Sequence, residues 1–284
     1  MIESKPSVTA RRVAMRRAAH QLIDARPLIL DDPIALRILD PNDAAALRAA
    51  PETVDRGPLD RYIRAFMVAR SRVAEDALAE SVARGVLQYV VLGAGLDTFA
   101  YRNPYPDLRV FEVDFPSTQV WKRERLAAGD IAIPENLTFA PIDFERQRLT
   151  DVLLDAGLDA SRPTFFSWLG VSPYLEPATV MATLAAIAPL ARGGGGVTFD
   201  YSVPLESLPL MHRIALEALA RRVAQHGEPF RSYFDPDRLA ISLLSLGFER
   251  IEDLGQAELD ARFFARRSDG LRAGSAGHIL TACA

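Results

Sequence analysis

The sequence predicts an α/β protein whose core is a doubly wound, mostly parallel sheet of seven strands. Three observations favour this fold. The first quarter of the chain has helical periodicity, and the remainder alternates short β-rich runs with helical runs. The first β-rich run also ends in a glycine pair, Gly93 and Gly95. We expect one domain, residues 1–284, with a helical segment over 1–84, a core over 85–203 and 236–284, and a helical cap insertion over 204–235.

The helical segment is predicted from apolar residues at helical spacing. Residues 8–25 have the pattern of a first helix, and Asp32-Pro33 is typical of the start of a second. Residues 41–57 are expected to form a loop or a short helix. A long amphipathic helix is predicted over 59–84, and Gly85 would end it.

The core is predicted from seven β-rich runs with helices between them. The runs are 88–93, 109–114, 137–143, 164–171, 196–203, 248–254 and 277–284. Helices are expected at 97–102, 117–128, 147–156, 177–191 and 236–246. Five strands in βαβ order followed by two closing strands predict an antiparallel final pair. Residues 204–235 exceed an ordinary connection, and their helical pattern predicts a cap over the carboxyl edge of the sheet.

Composition disfavours several classes of partner. The net charge of −4 disfavours a nucleic acid, and no run approaches 18 apolar residues, so no membrane partner is expected. Only Lys5 and Lys122 are lysines, and neither belongs to a phosphate-binding Walker loop. The four histidines are scattered and Cys283 is the lone cysteine, so we expect no metal site. A single cysteine also favours a reducing, cytoplasmic location.

The strongest ligand signal is the run VVLGAGLDTFAYR at 90–102. Glycine lets the backbone approach a ligand closely where a parallel strand ends. A dinucleotide fingerprint needs a third glycine, but Thr98 occupies that position. Asp97, near a predicted helix start, would repel a pyrophosphate and suit a cation. S-adenosylmethionine has a sulfonium, an ammonium and no phosphate, so it fits this turn better than NAD(P).

Two further strand ends supply candidate contacts to an adenosine. Asp114 closes the second strand and could accept hydrogen bonds from both ribose hydroxyls, with Glu112 as a second candidate on the same strand face. Asp143 closes the third strand and could accept from the adenine amino group, with Phe144 near the ring. The aromatic run at 164–177 has two interpretations, as buried core or as an edge of the cofactor site.

Taken in order, these segments resemble the leucine carboxyl methyltransferase family, particularly its bacterial S-adenosylmethionine-dependent methyltransferases. The resemblance rests on TARRVAMRRAAH at 9–20, LILDDPIA at 28–35, ARSRVAEDAL at 69–78, VLGAGLDTFAYR, FEVDFP, PIDF and SWLGVSPYLEP. It implies a Rossmann-like methyltransferase with an added N-terminal helical segment. It also implies these cofactor contacts: Arg70 to the methionine carboxylate, Gly93 and Gly95 along the methionine, Asp114 to the ribose, and Asp143 with Phe144 to the adenine.

The N-terminal arginines and the end of the fourth strand are two places to compare with the family. Of the arginines at positions 11, 12, 16 and 17, most are expected on the solvated face of a helix, and Arg11 is the candidate exception near the cofactor carboxylate. Family members often have a glutamate shortly before the residue that corresponds to Tyr174. Here the stretch is Trp168-Leu169-Gly170, without an acid.

The predicted activity is methyl transfer from S-adenosylmethionine to a carboxylate or hydroxyl oxygen of a small-molecule acceptor. A hydroxyl acceptor needs a general base, and Tyr201, His212, His226 and Tyr233 are candidates near the predicted cap. No catalytic residue is assigned. One alternative is an NAD(P)-dependent oxidoreductase, which Thr98 and the lack of a Tyr-x-x-x-Lys pair disfavour. The other is a Rossmann-like protein that binds the cofactor without turnover.

Overall fold

The computed structural model describes residues 8–55, 57–143, 146–210, 213–214, 217, 220–221 and 229–284. Its central feature is one seven-stranded sheet. The strands are β1 (Gln88–Leu92), β2 (Arg109–Asp114), β3 (Leu137–Pro141), β4 (Thr164–Trp168), β5 (Gly196–Ser202), β6 (Arg250–Leu254) and β7 (Gly277–Cys283). They lie in the order β3-β2-β1-β4-β5-β7-β6. All seven predicted strands are therefore confirmed.

The pairing of the strands defines a switch point between β1 and β4. Strands β1 to β5 are parallel, and β1 pairs with β2 on one side and β4 on the other. The chain moves outward from β1 to β3 and then returns to the opposite side of β1. Such a reversal leaves a crevice at the carboxyl ends of the strands, where ligands bind in doubly wound sheets. Strand β7 runs antiparallel between β5 and β6, which confirms the predicted antiparallel closing pair.

Helices cover both faces of the sheet. They are α1 (Val8–Ile23), α2 (Pro41–Ala49), α3 (Pro58–Ala83), α4 (Pro116–Ala128), α5 (Leu149–Asp155), α6 (Pro177–Ala191), α7 (Pro236–Ser245) and α8 (Gln256–Leu259). Val90 packs in one apolar cluster with α6 and α7, while Val91 packs in another with α3. Successive residues of a strand point to opposite faces, so covering both faces buries every residue of β1 and β4. This explains why most residues of both strands are apolar or aromatic.

Two predicted helices do not form, and a proline follows each of them. The segment begun by Asp32-Pro33 makes only a turn over 33–37, because Pro41 follows and begins α2 with Asp40 as its N-cap. The predicted helix at 97–102 is a single 3₁₀ turn, Phe99–Tyr101. Pro104 follows closely and disfavours helical backbone in the residue before it.

The predicted cap over 204–235 falls partly outside the described residues. Its described parts include a 3₁₀ turn at Leu205–Ser207 and a returning segment over 229–235. In that segment the Arg231 amide donates to the Pro173 carbonyl, which ties it to the end of β4. Across the described ranges, no helix combines the length and apolar character needed to cross a bilayer.

Candidate functional site

A cavity of about 400 Å³ opens at the switch point of the sheet. Its wall combines the turn after β1, the ends of β2 and β4, one face of α1, part of α3 and α6, and the segment that returns at 229–231. Its volume is in the range of roughly 300–1,000 Å³ that small-molecule and cofactor sites occupy. The sheet topology and the cavity therefore identify the same place as the ligand site.

The glycine turn after β1 forms the floor of this cavity. Gly93 and Gly95 have φ values of 67° and 45°, in the left-handed region that favours glycine. The Gly93 amide donates to the Val113 carbonyl over 2.8 Å, which holds the turn against β2. A Cβ on Gly93 would overlap the Val171 side chain, which comes from the end of β4. A glycine at this position therefore allows the ends of β1 and β4 to approach each other.

Asp114, at the end of β2, lines the cavity and is fixed by backbone amides. The Gly95 amide donates to Oδ2 over 2.7 Å, and the Phe115 amide donates to Oδ1 over 2.7 Å. Burial raises the pKa of Asp114, and these two hydrogen bonds oppose that rise. The Thr118 side chain also hydrogen-bonds to this carboxylate, and the remaining lone-pair site can accept a hydrogen bond from a ligand hydroxyl.

Glu112, the second candidate on β2, has a different environment. Its side chain is fully buried, with the Lys122 Nζ at 2.7 Å and the Tyr101 hydroxyl donating over 3.2 Å. Burial raises the pKa of Glu112 to about 7. Glu112 is not among the described residues that line the cavity. The structure therefore brings only Asp114 of this pair to the site.

Arg70, on α3, lines the opposite side of the cavity and is held by an acid from β5. Its Nη1 lies 2.9 Å from Oδ2 of Asp200, and both side chains are buried. The Gly170 amide donates to the other oxygen of Asp200 over 2.5 Å. Gly170 has a φ of 73°, and a Cβ there would lie 2.7 Å from Nη2 of Arg70. The stretch Trp168-Leu169-Gly170 has no acid of its own. Asp200, on the neighbouring strand β5, supplies the carboxylate at this place.

Asp200, which pairs with the lining residue Arg70 and is not itself among the described lining residues, was not predicted from the sequence. It lies inside the apolar run of β5, and its partner Arg70 is 130 positions away along the chain. No local motif marks this pairing, because it depends on α3 packing against β5.

The adenine contacts predicted from β3 are only partly described. Asp143 follows β3 and forms an ion pair with Arg146, Oδ2 to Nε, at 3.4 Å. It is not among the described residues that line the cavity, and Phe144 lies outside the described residues. Phe115, next to Asp114, does line the cavity. The roles of Asp143 and Phe144 therefore stay predictions.

The N-terminal arginine at the cavity is Arg17. It is buried, pairs with Asp32 at 2.9 Å and donates to the Leu96 carbonyl over 2.5 Å. Arg11 is instead about half exposed, pairs with Asp43 and is not among the described residues that line the cavity, so its expected place near the cofactor carboxylate stays a prediction. Helical spacing could have indicated Arg17, because it lies four positions after Val13 and therefore on the same face of α1, the face that lines the cavity.

Asp97 and Thr98, which distinguished this turn from a dinucleotide fingerprint, have different roles. Asp97 lines the cavity, and its Oδ1 accepts from the Phe99 amide over 2.8 Å. Thr98 is buried and donates to Oδ2 of Asp32 over 2.6 Å. The Asp32 carboxylate therefore accepts the Thr98 hydrogen bond and also pairs with Arg17.

The general-base candidates that the structure describes do not reach the cavity. Tyr201 is buried, and its hydroxyl donates to Asp253 over 2.5 Å. Neither Tyr201 nor Tyr233 is among the described residues that line the cavity, so a role as general base stays a prediction for both. His212 and His226 lie outside the described residues. Within the described ranges, no group of three His, Cys, Asp or Glu side chains could hold a metal ion.

The chain matches a known protein family and several bacterial relatives. The family model for leucine carboxyl methyltransferase matches residues 10–188. A protein of Bacillus subtilis named "Putative S-adenosyl-L-methionine-dependent methyltransferase YktD" is 32% identical over an alignment of 306 positions, which covers 99% of each chain. A "Putative S-adenosyl-L-methionine-dependent methyltransferase" of Saccharopolyspora erythraea is 32% identical and covers 70% of this chain and 68% of that protein.

Solved structures support the fold. A crystal structure titled as a putative methyltransferase from Thermobifida fusca has a TM-score of 0.58 at 18% identity, covering 98% of this chain and 95% of that one. A protein of the DUF574 family from Streptomyces avermitilis has a TM-score of 0.55 at 15% identity, with full coverage of both chains.

The fold, the cavity and the relatives define an S-adenosyl-L-methionine-dependent methyltransferase. More particularly, the chain belongs to the leucine carboxyl methyltransferase family. The predicted family, Rossmann-like fold, enzyme class and cofactor are thereby confirmed, and the oxidoreductase and non-catalytic alternatives are set aside.

Proposed function

We propose that this enzyme transfers the methyl group to an oxygen of a small-molecule acceptor, and that the oxygen belongs to a carboxylate. A carboxylate is chosen because of the side chains that line the part of the cavity away from the glycine turn and Asp114. There the described polar side chains are hydroxyls and a guanidinium: Tyr174, Thr179, Thr183 and Arg231. A carboxylate is already nucleophilic, so it needs no general base, whereas a hydroxyl does.

We assign the cofactor contacts to two sides of the cavity, one formed by the ends of β1 and β2 and the other by Arg70 and the end of β4. Asp114 would accept from the ribose hydroxyls, and Gly93 with Gly95 would line the methionine. Arg70 would receive the methionine carboxylate, because Asp200 engages Nη1 and leaves the rest of the guanidinium fork free to bind. Asp143 and Phe144 keep their proposed place at the adenine.

The residues of the cavity would act by alignment and exclusion of water. S-adenosylmethionine supplies an electrophilic methyl group on a sulfonium, and the acceptor oxygen must approach opposite the breaking carbon–sulfur bond. Val171 and Leu169 contribute apolar surface near the glycine turn and would exclude water. Arg231 would orient an anionic acceptor at the mouth, where it lies 3.3 Å from Glu176. A cytoplasmic location is part of the same proposal and rests on the lone cysteine.

The experiment measures S-adenosylhomocysteine release with panels of small carboxylic acids, phenols, alcohols, amines and a peptide that ends in leucine. We expect turnover with small carboxylic acids, and a product that releases methanol in mild alkali, as a methyl ester does. A base-stable product would reject the carboxylate in favour of a hydroxyl. Turnover confined to amines or to the peptide would reject the proposed acceptor class.

A matched pair of variants tests the acceptor side separately. Arg231→Ala should raise the acceptor KM roughly tenfold, the order expected when one charge-assisted hydrogen bond is lost, with the affinity for S-adenosylhomocysteine unchanged. Arg192→Ala, an exposed arginine that does not line the cavity, is the control and should change neither quantity. An unchanged acceptor KM in Arg231→Ala would contradict the role of this arginine.

A further inference from the structure

A second cleft, of about 480 Å³, lies outside the methyltransferase site and shares no described lining residue with it. Three separate segments converge on it: the loop over 25–29 after α1, the exposed face of α3 at Arg72 and Asp76, and the segment over 262–268 after α8. The methyl-transfer chemistry proposed above does not use this cleft.

The cleft is strongly basic although the whole chain has a net charge of −4. Five of its twelve lining residues are arginines, and one is an acid, Asp76. The arginines are Arg26, Arg72, Arg262, Arg266 and Arg267. Asp76 is shared, with Nε of Arg72 at 2.7 Å and Nη2 of Arg262 at 2.9 Å. Asp76 therefore faces two guanidinium groups, and Arg262 has a second acidic partner in Glu252, whose Oε1 lies 3.6 Å from its Nη1 outside the lining.

Arg267 gives the cleft a fixed frame. Its side chain is mostly buried, and it donates to the Pro27 carbonyl over 2.9 Å and to the Ala25 carbonyl over 2.6 Å. It also pairs with Asp269, whose Oδ2 accepts from the Ala25 amide over 2.9 Å. These contacts lock the loop after α1 to the segment after α8. Hydrogen bonds and an ion pair therefore hold the two segments that form the cleft in a fixed relative position.

Two guanidinium groups at this concavity lack a compensating acid. Arg26 and Arg266 are both exposed, and neither forms an ion pair with a residue that the structure describes. Arginine forks bind phosphate oxygens in a bidentate manner, and gathering like charges around one concavity is costly without an anion. Phe263 is half-buried at the same cleft, with the Arg262 guanidinium stacked 5.2 Å from its ring centroid.

We propose that this cleft binds a small molecule carrying two or more linked phosphate groups, held chiefly by Arg26 and Arg266. The concave shape and a volume suited to a small ligand favour such a compound over an extended acidic segment of another protein, which a flat basic surface would fit better. More than one phosphate matches the separate, uncompensated guanidinium groups.

The test titrates the intact protein with inorganic pyrophosphate in a calorimeter, at ionic strength matched with sodium chloride. We expect saturable binding that the double variant Arg26→Ala/Arg266→Ala weakens by about a hundredfold, roughly tenfold for each arginine. The double variant Arg48→Ala/Arg192→Ala is the control, since both residues are exposed and line neither cavity. It should bind pyrophosphate as the wild type does.

Binding of S-adenosylhomocysteine is measured on the same samples, together with the unfolding temperature. We expect all three proteins to bind it equally, which separates this proposal from the proposed function. An intact protein that shows no saturable pyrophosphate binding would overturn the proposal. So would an equal loss in both double variants, or an acidic peptide that binds where pyrophosphate does not.

Discussion

The two sides of the methyltransferase cavity are built from opposite arrangements of charge. On the β1–β2 side, backbone amides of Gly95 and Phe115 fix a carboxylate, Asp114. On the β4–β5 side, a carboxylate, Asp200, fixes a guanidinium, Arg70. One side therefore presents acceptors and the other presents donors, which suits a ligand with hydroxyls at one end and a carboxylate at the other.

The two sides also differ in how far their parts are separated along the chain. Gly95 and Asp114 are 19 positions apart, within one βαβ-like unit, whereas Arg70 and Asp200 are 130 positions apart. Residues that lie close together along the chain, such as Gly95 and Asp114, form a local motif that is visible in the sequence. A long-range pair forms only when α3 packs against the sheet, so the first side could be predicted and the second could not.

The largest expected effect comes from breaking the long-range pair. Arg70→Ala leaves Asp200 buried without its cation, which should lower the free energy of unfolding by about 3–5 kcal/mol. Urea denaturation followed by circular dichroism measures this. The double variant Arg70→Met/Asp200→Asn removes both charges together, so it should recover part of the loss in stability without recovering cofactor binding. A single variant as stable as the wild type would show that the pair does not anchor this side.

A smaller effect is expected where the two sides touch. Gly93→Ala places a methyl group against Val171 and also forces alanine into left-handed backbone, where φ is 67°. Gly247→Ala is the matched control, because its φ is 99° and nothing lies within 4 Å of an added Cβ. The control should lose about 1–2 kcal/mol from backbone strain, and Gly93→Ala about 1–3 kcal/mol more from overpacking. Equal losses in the two variants would mean that the sides do not approach as closely as described.

The smallest effect is expected at the N-terminal helix. Arg11→Ala removes an ion pair with Asp43 in which the arginine is about half exposed, so the stability should change by less than about 1 kcal/mol. Calorimetry should give an unchanged affinity for S-adenosylhomocysteine. A marked loss of affinity would instead place Arg11 at the cofactor, as the sequence suggested.

Much of the fold and part of the site followed from the sequence for identifiable reasons. The predicted β2 boundaries coincide with Arg109–Asp114 because valine and phenylalanine, which favour strands, fill the buried middle of the run. The glycine turn and Asp114 were found because they follow buried strands at the switch point. The helix predicted from Asp32-Pro33 failed because Pro41 starts a separate helix. The hydrogen bond from Tyr201 to Asp253 could not be predicted, because Asp253 lies on β6 and only the sheet order shows that proximity.

Asp114, at the end of β2, is the most important residue of the proposed cofactor site. Glu112, two residues earlier on the same face, is the matched control because it pairs with Lys122 and does not line the cavity. The decisive measurement is a calorimetric titration of S-adenosylhomocysteine into wild type, Asp114→Asn and Glu112→Gln, each checked for folding. Asp114→Asn should bind at least roughly tenfold more weakly, because it loses an anionic acceptor, and Glu112→Gln should bind within about twofold of wild type. Wild-type affinity in Asp114→Asn would contradict the central claim.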